Sequence, residues 1–173
     1  MAGVTVNAGV VKLFSATDNV EGAIPAFGPA NCAPGSLSFL SVLGGASASI
    51  TFAPAKAISF DLGSLDFYNS LTLNFAGGGS QAFQGGEIIG LEGTAVLSNG
   101  DRFSPLTNGR VTFTGAGSER IAGITLASST NSFEIDRLAA AIPEPAGWAL
   151  LIIGFAFAGS ALRRRGDVPV VLA

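Results

Sequence analysis

Four carboxylates stand in two short segments that are rich in polar and aromatic residues. Asp61 and Asp66 lie in the first segment, and Glu134 and Asp136 lie in the second. Carboxylate oxygens are the ligands that calcium prefers, so these residues are candidates for a calcium site, although their spacing matches no EF-hand loop. The alternative is that they are solvated carboxylates on outer strand faces and in turns, which is the commoner position of such residues.

An aromatic residue and an amide follow Asp66 closely, at Tyr68 and Asn69. An aromatic ring with polar neighbours can bind a sugar ring, so Asp66, Tyr68 and Asn69 are candidate carbohydrate ligands. The alternative is an ordinary turn between two strands, because Asp and Asn tolerate turn geometry. Together, the candidate ligand or calcium residues are Asp61, Asp66, Tyr68, Asn69, Glu134 and Asp136.

The composition excludes several kinds of catalysis. The chain has no histidine, so it lacks the usual general base and the commonest zinc ligand. Ser-His-Asp and Cys-His mechanisms are therefore excluded, and hydrolysis would need two carboxylates at a defined separation, which the sequence does not establish. We predict a non-enzymatic protein without catalytic residues or a cofactor, with calcium only as the alternative above.

Alternation of apolar and polar residues predicts the strands that position these side chains. The alternation is clearest over residues 58–62, 71–75, 110–114 and 133–136, and half-buried strands of this kind form antiparallel sheets. Further strands are predicted near residues 10–14, 38–42, 49–52, 81–83, 95–98 and 121–127. The pattern predicts an all-β fold, an antiparallel two-sheet sandwich that is jelly-roll-like.

Two connections in this sandwich are predicted from their turn residues. Asn99-Gly100 and Asn108-Gly109 are pairs that favour reversal of the chain between strands. Residues 21–45 contain three prolines, Pro25, Pro29 and Pro34, and several glycines. We therefore expect a long surface loop in this region, with a strand at its end.

The charges are few and unevenly distributed. Charged residues make up 12% of the chain, about half of the roughly 25% that is usual for a soluble domain. The formal net charge is -3, and three of the nine basic residues are adjacent at Arg163, Arg164 and Arg165. The remaining chain is acidic and cannot neutralise a phosphate backbone, so nucleic acid is excluded as a partner.

An uncharged and almost wholly apolar stretch, Trp148 to Leu162, precedes the three arginines. As a helix, its 15 residues would span about 22 Å, which is short of the roughly 30 Å hydrocarbon core. Trp148 at one interface and snorkelling arginines at the other narrow this mismatch. Gly154 and Gly159 belong to a face of small residues that suits packing against another membrane helix. The alternative is a buried core helix.

The order of motifs in this region resembles a known sorting signal. Pro143-Glu144-Pro145, then Trp148-Ala149, a hydrophobic run with Gly154-Phe155 and a final arginine cluster resemble the PEP-CTERM sorting domain in its PEPxxWA form. The resemblance covers about residues 142–165, and members usually end soon after the arginines, whereas this chain continues over residues 166–173. In that family an exosortase, a multi-spanning membrane protease-transferase, recognises and cleaves the tag.

The resemblance implies a role for each matching residue. The sorting motif would be Pro143, Glu144, Pro145, Trp148 and Ala149; the transmembrane span would include Trp148, Gly154, Phe155, Gly159 and Leu162; the cytoplasmic anchor would be Arg163, Arg164 and Arg165. Residues 63–69 and 131–136 also resemble patches in the bodies of other small PEP-CTERM proteins, in which a sandwich recurs.

These observations predict a β-sandwich body over residues 1–141, a sorting tag with a single transmembrane helix over 142–165 and a tail over 166–173. The protein is expected to be exported by a bacterium and held in the inner membrane with its body outside the cytoplasm. It would then pass to the cell surface or the extracellular matrix. Exosortase is the expected partner and exopolysaccharide a candidate partner. The alternative is a carbohydrate- or calcium-binding module on the same route. Residues 1–7 carry no secretory signal, so we expect a leader to precede Met1.

Overall fold

The computed structural model describes residues 3–25, 38–89, 99–141 and 147–165. The chain divides into two compact units, Met1–Ile142 and Pro143–Ala173. The elements of the first unit are β1 (Gly3–Ala8), β2 (Val11–Phe14), β3 (Phe39–Val42), β4 (Ala46–Ala55), β5 (Ala57–Gly63), β6 (Asn69–Phe75), β7 (Ser80–Gln84), a short 3₁₀ helix (Gly85–Ile89), β8 (Gly109–Thr114), β9 (Ile121–Ser128) and β10 (Phe133–Ala141). The second unit contains one helix, α1 (Gly147–Arg165).

The strands of the first unit, which we call the body, form two antiparallel sheets. Sheet A has the order β1-β4-β9-β6-β7, and sheet B has the order β2-β3-β10-β5-β8. Apolar side chains of both sheets belong to one core cluster. The predicted all-β, antiparallel two-sheet sandwich is therefore confirmed.

Alternation determines which side chains enter this core. In β5, Ile58, Phe60 and Leu62 point inward and are almost fully buried, and Leu71 and Leu73 of β6 do the same from sheet A. Each fully buried side chain of this size contributes about 1.5–3 kcal/mol relative to an exposed one. The strands predicted over residues 58–62, 71–75, 110–114 and 133–136 are thus confirmed, as β5, β6, the edge strand β8 and the start of β10.

Other expectations about the elements had different outcomes. The sequence analysis does not predict β1, although Val4 and Val6 alternate with Thr5 and Asn7; all six residues of this strand are exposed at the edge of sheet A. The Asn108-Gly109 pair does not form a hairpin turn: Gly109 already pairs with Leu62 as the first residue of β8, and Asn108 is buried. The strand predicted near residues 95–98 lies outside the described residues.

Part of the predicted surface loop is packed onto the outer face of sheet B. Residues 17–25, which we call the covering segment, are held there by the Ser41 hydroxyl, which donates to the Glu21 carbonyl at 2.6 Å. Lys12 of β2 pairs with the Glu21 carboxylate at 2.6 Å. Ala23 and Pro25 are buried. The prediction of a surface loop over residues 21–45 is therefore wrong for residues 21–25, whereas the strand predicted at its end is confirmed as β3; residues 26–37 lie outside the described ranges.

The outer face of sheet B carries a carboxylate that is buried rather than solvated. Asp61 is only 1% exposed. Arg110 Nη1 lies 3.1 Å from its Oδ1, and the Arg137 guanidinium pairs with Oδ2. The register of β10 shifts between Asp136 and Ala139, and Arg137 within this bulge has a φ of +49°. The bulge re-aims Arg137 toward Asp61, whereas strict alternation would direct it into the core.

Helix α1 includes the apolar stretch predicted at residues 148–162. Its 19 residues extend over about 28 Å. None of the helices in the described ranges combines the length and apolar character needed to cross a membrane. The described side chains of α1 are exposed, with Phe155 at 70% and Phe157 at 72%, and none of them belongs to the core cluster.

Several residues of the predicted tag are not described. Pro143, Glu144 and Pro145 lie outside the described residues, as do residues 166–173. Trp148, Ala149, Arg164 and Arg165 belong to α1, but their side chains lie outside the described part. Gly154, Phe155, Gly159, Leu162 and Arg163 are exposed residues of the helix.

We expect Asp61→Ala to lower the free energy of unfolding by about 3 kcal/mol, because it leaves the Arg110 and Arg137 guanidinium groups without their shared buried partner. Chemical denaturation of the full chain in a mild non-ionic detergent measures this loss. Glu119→Ala, at an exposed position in the β8–β9 connection, is the matched control. A loss for Asp61→Ala within about 0.5 kcal/mol, the usual effect of a surface change, would contradict the prediction.

Candidate functional site

The connections at one end of the body enclose a polar pocket of about 270 Å³. Three loops and the covering segment contribute to it, and Glu134 of β10 lies at its base. The β5–β6 connection supplies Ser64, Asp66 and Tyr68; the loop before β8 supplies Asn99, Gly100 and Arg102; the β9–β10 connection supplies Asn131 and Ser132; the covering segment supplies Val20 and Gly22.

Glu134 is a buried carboxyl that is surrounded by neutral donors. The residue is 2% exposed, and its Oε1 accepts hydrogen bonds from the Ser132 hydroxyl and, at 3.2 Å, from the Ala23 backbone N–H. Its Oε2 accepts from the Ser64 hydroxyl at 3.0 Å. Burial raises the pKa of Glu134, and the three hydrogen bonds only partly oppose this shift. The prediction that Glu134 is solvated is therefore wrong.

The backbone at Ser64 is adapted to this contact. Ser64 has a φ of +34°, an uncommon conformation for a residue other than glycine. The side-chain oxygen of Asn108 accepts the Ser64 N–H at 2.9 Å, and the Ser64 hydroxyl donates to Glu134. These two hydrogen bonds stabilise a local conformation that costs on the order of 1 kcal/mol.

Asp66 stands at the mouth of the pocket and is about half-buried. Its backbone N–H donates to Asn69 Oδ1 at 2.7 Å, and its carbonyl accepts the Asn69 N–H at 3.1 Å, which fixes the turn. Gly100, with a φ of +70°, packs so closely that an added Cβ would lie 2.6 Å from both carboxylate oxygens. Desolvation raises the pKa of Asp66 above its ordinary value, and a hydrogen bond from Tyr68 opposes this rise only in part.

Two aromatic rings adjoin Asp66. Tyr68 and Asn131 both line the pocket, and the Tyr68 hydroxyl donates to the Asn131 carbonyl at 2.7 Å. Burial, followed by the hydrogen bond and charge of Asp66, raises the pKa of Tyr68, so it remains a neutral donor at physiological pH. The Phe67 ring meets the Tyr68 ring edge-on at a centroid distance of 5.3 Å and is 62% exposed.

Asn69 is a structural residue and not a candidate ligand. It is fully buried, and its amide group donates to the Ser128 hydroxyl at 2.9 Å and to the Ser132 carbonyl at 3.1 Å. Its carbonyl oxygen accepts from Asp66. Because these contacts use its side chain, the sequence-based assignment of Asn69 as a ligand is wrong.

The fold brings two of the four candidate carboxylates into one pocket. Asp66 and Glu134 both line it, whereas Asp61 and Asp136 are register partners on β5 and β10, away from the pocket lining. Asp136 accepts the Arg137 backbone N–H at 2.6 Å. In the described ranges, no three histidine, cysteine or acidic residues are grouped so that they could hold a metal ion. The calcium site proposed for these four residues is therefore not formed among them.

Other pocket residues were missed by the sequence analysis. Ser64, Arg102, Asn131 and Ser132 come from three connections that are far apart in the chain. Their types and spacing carry no signal for a shared site. The one available signal was the likeness of residues 63–69 and 131–136 to patches of other bodies, and both segments contribute to the pocket.

A larger cleft of about 650 Å³ lies beside the edge strand β8. Phe83 and Phe113 meet in its wall at a centroid distance of 5.3 Å. Its arginine, Arg110, is already engaged by Asp61 and Ser59. The cleft thus presents fewer available polar groups than the pocket does.

Comparison of the chain with protein-family models and with curated proteins gives no match. The functional argument therefore depends on the residues of the pocket and of α1 themselves.

The buried carboxyl of Glu134 predicts a pH dependence of stability. Since burial raises its pKa, the native protein holds this proton more tightly than the unfolded chain, in which a glutamate titrates near about 4.3. Stability from this group is thus greatest below that pH and falls as the pH rises through the native pKa. Glu134→Gln should remove this fall, so the variant should gain stability relative to wild type as the pH rises from about 4 upward.

Denaturant titrations of both proteins across that pH range measure the difference in the free energy of unfolding. Glu119→Gln, a change of the same type at an exposed site, is the control. A pH-independent difference for Glu134→Gln would contradict the prediction.

Proposed function

We propose that the chain is an exported bacterial cell-surface or extracellular-matrix protein whose C-terminal segment is a PEP-CTERM sorting signal for an exosortase. The observation that carries the proposal is the set of large apolar side chains that α1 exposes. They are Ile152, Ile153, Phe155, Phe157 and Leu162, and they occur on one helix between the Pro-Glu-Pro motif and the arginines. Exposed apolar surface of this kind marks a site for lipid or for another protein.

Membrane attachment accounts for these side chains. In the proposal, the uncharged residues of α1 form a single transmembrane helix, and local bilayer thinning together with snorkelling of the arginines compensates for its shortness. The Ser160 hydroxyl donates to the Phe157 carbonyl at 2.9 Å, which pairs a polar group that would be costly in lipid. Arg163 and its two neighbours would stay in the cytoplasm by the positive-inside rule.

The remaining expectations follow from this attachment. The protein would reside in the inner membrane with its body outside the cytoplasm, and cleavage by exosortase would pass the body to the surface or the exterior. Gly154 and Gly159, with no atoms within 4 Å of an added Cβ, would offer the enzyme a smooth helix face.

We also propose a jelly-roll-like connectivity for the body, since the chain alternates between sheets B and A from β3 to β6 and again from β8 to β10.

The body is proposed to be non-enzymatic. One of the two pocket carboxyls, Glu134, is engaged by three donors of the protein, which favours a role in holding the loops together. The alternative of a carbohydrate-binding module is favoured by a specific observation, the pocket that contains Asp66 and Tyr68.

Processing is tested by intact-mass analysis of the protein recovered from its host, with and without the exosortase gene. We expect a product that ends near Pro143 in the wild-type host and the full-length chain in membranes of the deletion strain. Glu144→Ala should leave the chain uncleaved, because it removes the acidic residue of the motif. Glu119→Ala, in the body, should be processed normally. A full-length soluble chain in the cytoplasm of the wild-type host would overturn the proposal.

A further inference from the structure

Two hydrogen-bond acceptors at the pocket compete for one donor, the Tyr68 hydroxyl. Tyr68 carries one hydroxyl proton, but both the Asn131 carbonyl, at 2.7 Å, and the Asp66 carboxylate lie within its reach. Because one proton cannot fully satisfy both acceptors, the Asp66 carboxylate retains lone pairs for donors from outside the protein. A ligand that brings hydroxyl or N–H donors would complete this arrangement.

The charges around the pocket favour a neutral ligand. Arg102 lines the pocket, as do the two acidic residues Asp66 and Glu134. Its guanidinium donates to the side-chain oxygen and to the backbone carbonyl of Asn19, both at 3.0 Å. A guanidinium has five N–H donors, so several remain for a ligand oxygen. The arginine disfavours a cation, and Asp66 and Glu134 disfavour an anion, whereas a polyol can donate to Asp66 and accept from Arg102.

The aromatic pair beside the pocket supplies an apolar surface. Phe67 is 62% exposed and packs edge-on against Tyr68, a residue of the pocket lining, although Phe67 is not itself part of that lining. A single exposed phenylalanine is common on protein surfaces. The combination of this ring with the nearby acceptor Asp66 is less common and suits a sugar. The faces of a sugar ring present C–H groups that can contact Phe67, and its edge presents hydroxyl groups that can donate to Asp66.

The size of the pocket limits what can enter it. Its volume of about 270 Å³ is slightly below the roughly 300–1,000 Å³ of pockets for drug-sized molecules. One sugar ring suits this space better than an extended oligosaccharide. The occupant would therefore be a terminal or side-branch unit of a polysaccharide.

We infer that the pocket bordered by Asp66, Tyr68 and Arg102, with the adjoining ring of Phe67, binds one neutral sugar unit of a polysaccharide through its hydroxyl groups. This inference gives the body of the proposed surface protein a ligand class. It depends on the body alone, so failed processing of the C-terminal segment would leave it intact, and a failure to bind sugar would leave the sorting proposal intact.

The test measures binding of the full chain to immobilised dextran, galactan and mannan, in a polyoxyethylene detergent that contains no sugar. We expect saturable binding to at least one polysaccharide and competition by its free monosaccharide. Asp66→Asn removes the charged acceptor but keeps the turn, which depends on the backbone of Asp66. It should weaken binding about tenfold or more, since charge-assisted hydrogen bonds are worth about 1.5–3 kcal/mol.

A second variant tests the aromatic surface independently. Phe67→Ala should also weaken binding about tenfold, whereas Leu13→Ala, at an exposed apolar residue of the edge strand β2, should bind like wild type within about twofold. Glu119→Gln, in the β8–β9 connection, controls for loss of a negative charge. Circular dichroism confirms that each variant is folded.

Several outcomes would overturn the inference. The first is that the chain binds none of the three polysaccharides. The second is that both Asp66→Asn and Phe67→Ala bind a polysaccharide with wild-type affinity. The third is that the pocket binds Ca²⁺ and that added sugar neither binds nor changes the affinity for Ca²⁺. Hydrolysis of a bound glycoside, with loss of turnover in Asp66→Asn, would replace binding with catalysis and contradict the inference as well.

Discussion

Two carboxylates on the outer face of sheet B are buried, and several features of the body supply the partners that their burial requires. Asp61 on β5 and Glu134 on β10 lie on neighbouring strands and are both almost fully buried. Burial of a charge without partners costs several kcal/mol, so each requires its own donors. The bulge at Arg137, the uncommon backbone conformation at Ser64 and the covering segment at residues 17–25 supply them.

The two carboxylates are stabilised in different ways. Asp61 has a structural role, whereas Glu134 lies at the pocket to which we assign a ligand. Asp61 is paired with two arginines, which hold its charge and leave little capacity for a ligand. Glu134 accepts hydrogen bonds from neutral donors only, and Asp66, which lines the same pocket, accepts fewer hydrogen bonds. Burial therefore raises the pKa of Glu134 and the pKa of Asp66. A ligand with hydroxyl groups would supply what the protein leaves incomplete at Asp66.

The two units of the chain are suited to different surroundings. In the body, a cluster of apolar side chains from both sheets forms a buried core, and the buried carboxylates of the outer face of sheet B have hydrogen-bond or ion-pair partners. In α1, large apolar side chains are exposed and the serine hydroxyl is bonded to its own helix. A helix of this kind is favourable only where lipid or a partner covers it. Proposed export and proposed sugar binding are thus separate properties, which belong to separate units.

The sequence alone determined the local features. Alternation with a period of two places Phe60 and Leu73 inside and identifies their strands, since successive side chains of a strand face opposite sides. The absence of histidine and the run from Trp148 to Arg165 likewise needed no structure. Tertiary structure alone decided which carboxylates are buried and which meet. Asp61 and Asp66 are close in sequence but serve different clusters, and Glu134 is covered by Ala23, which is more than one hundred residues away. Such burial arises from contacts between distant segments, and local periodicity carries no information about them.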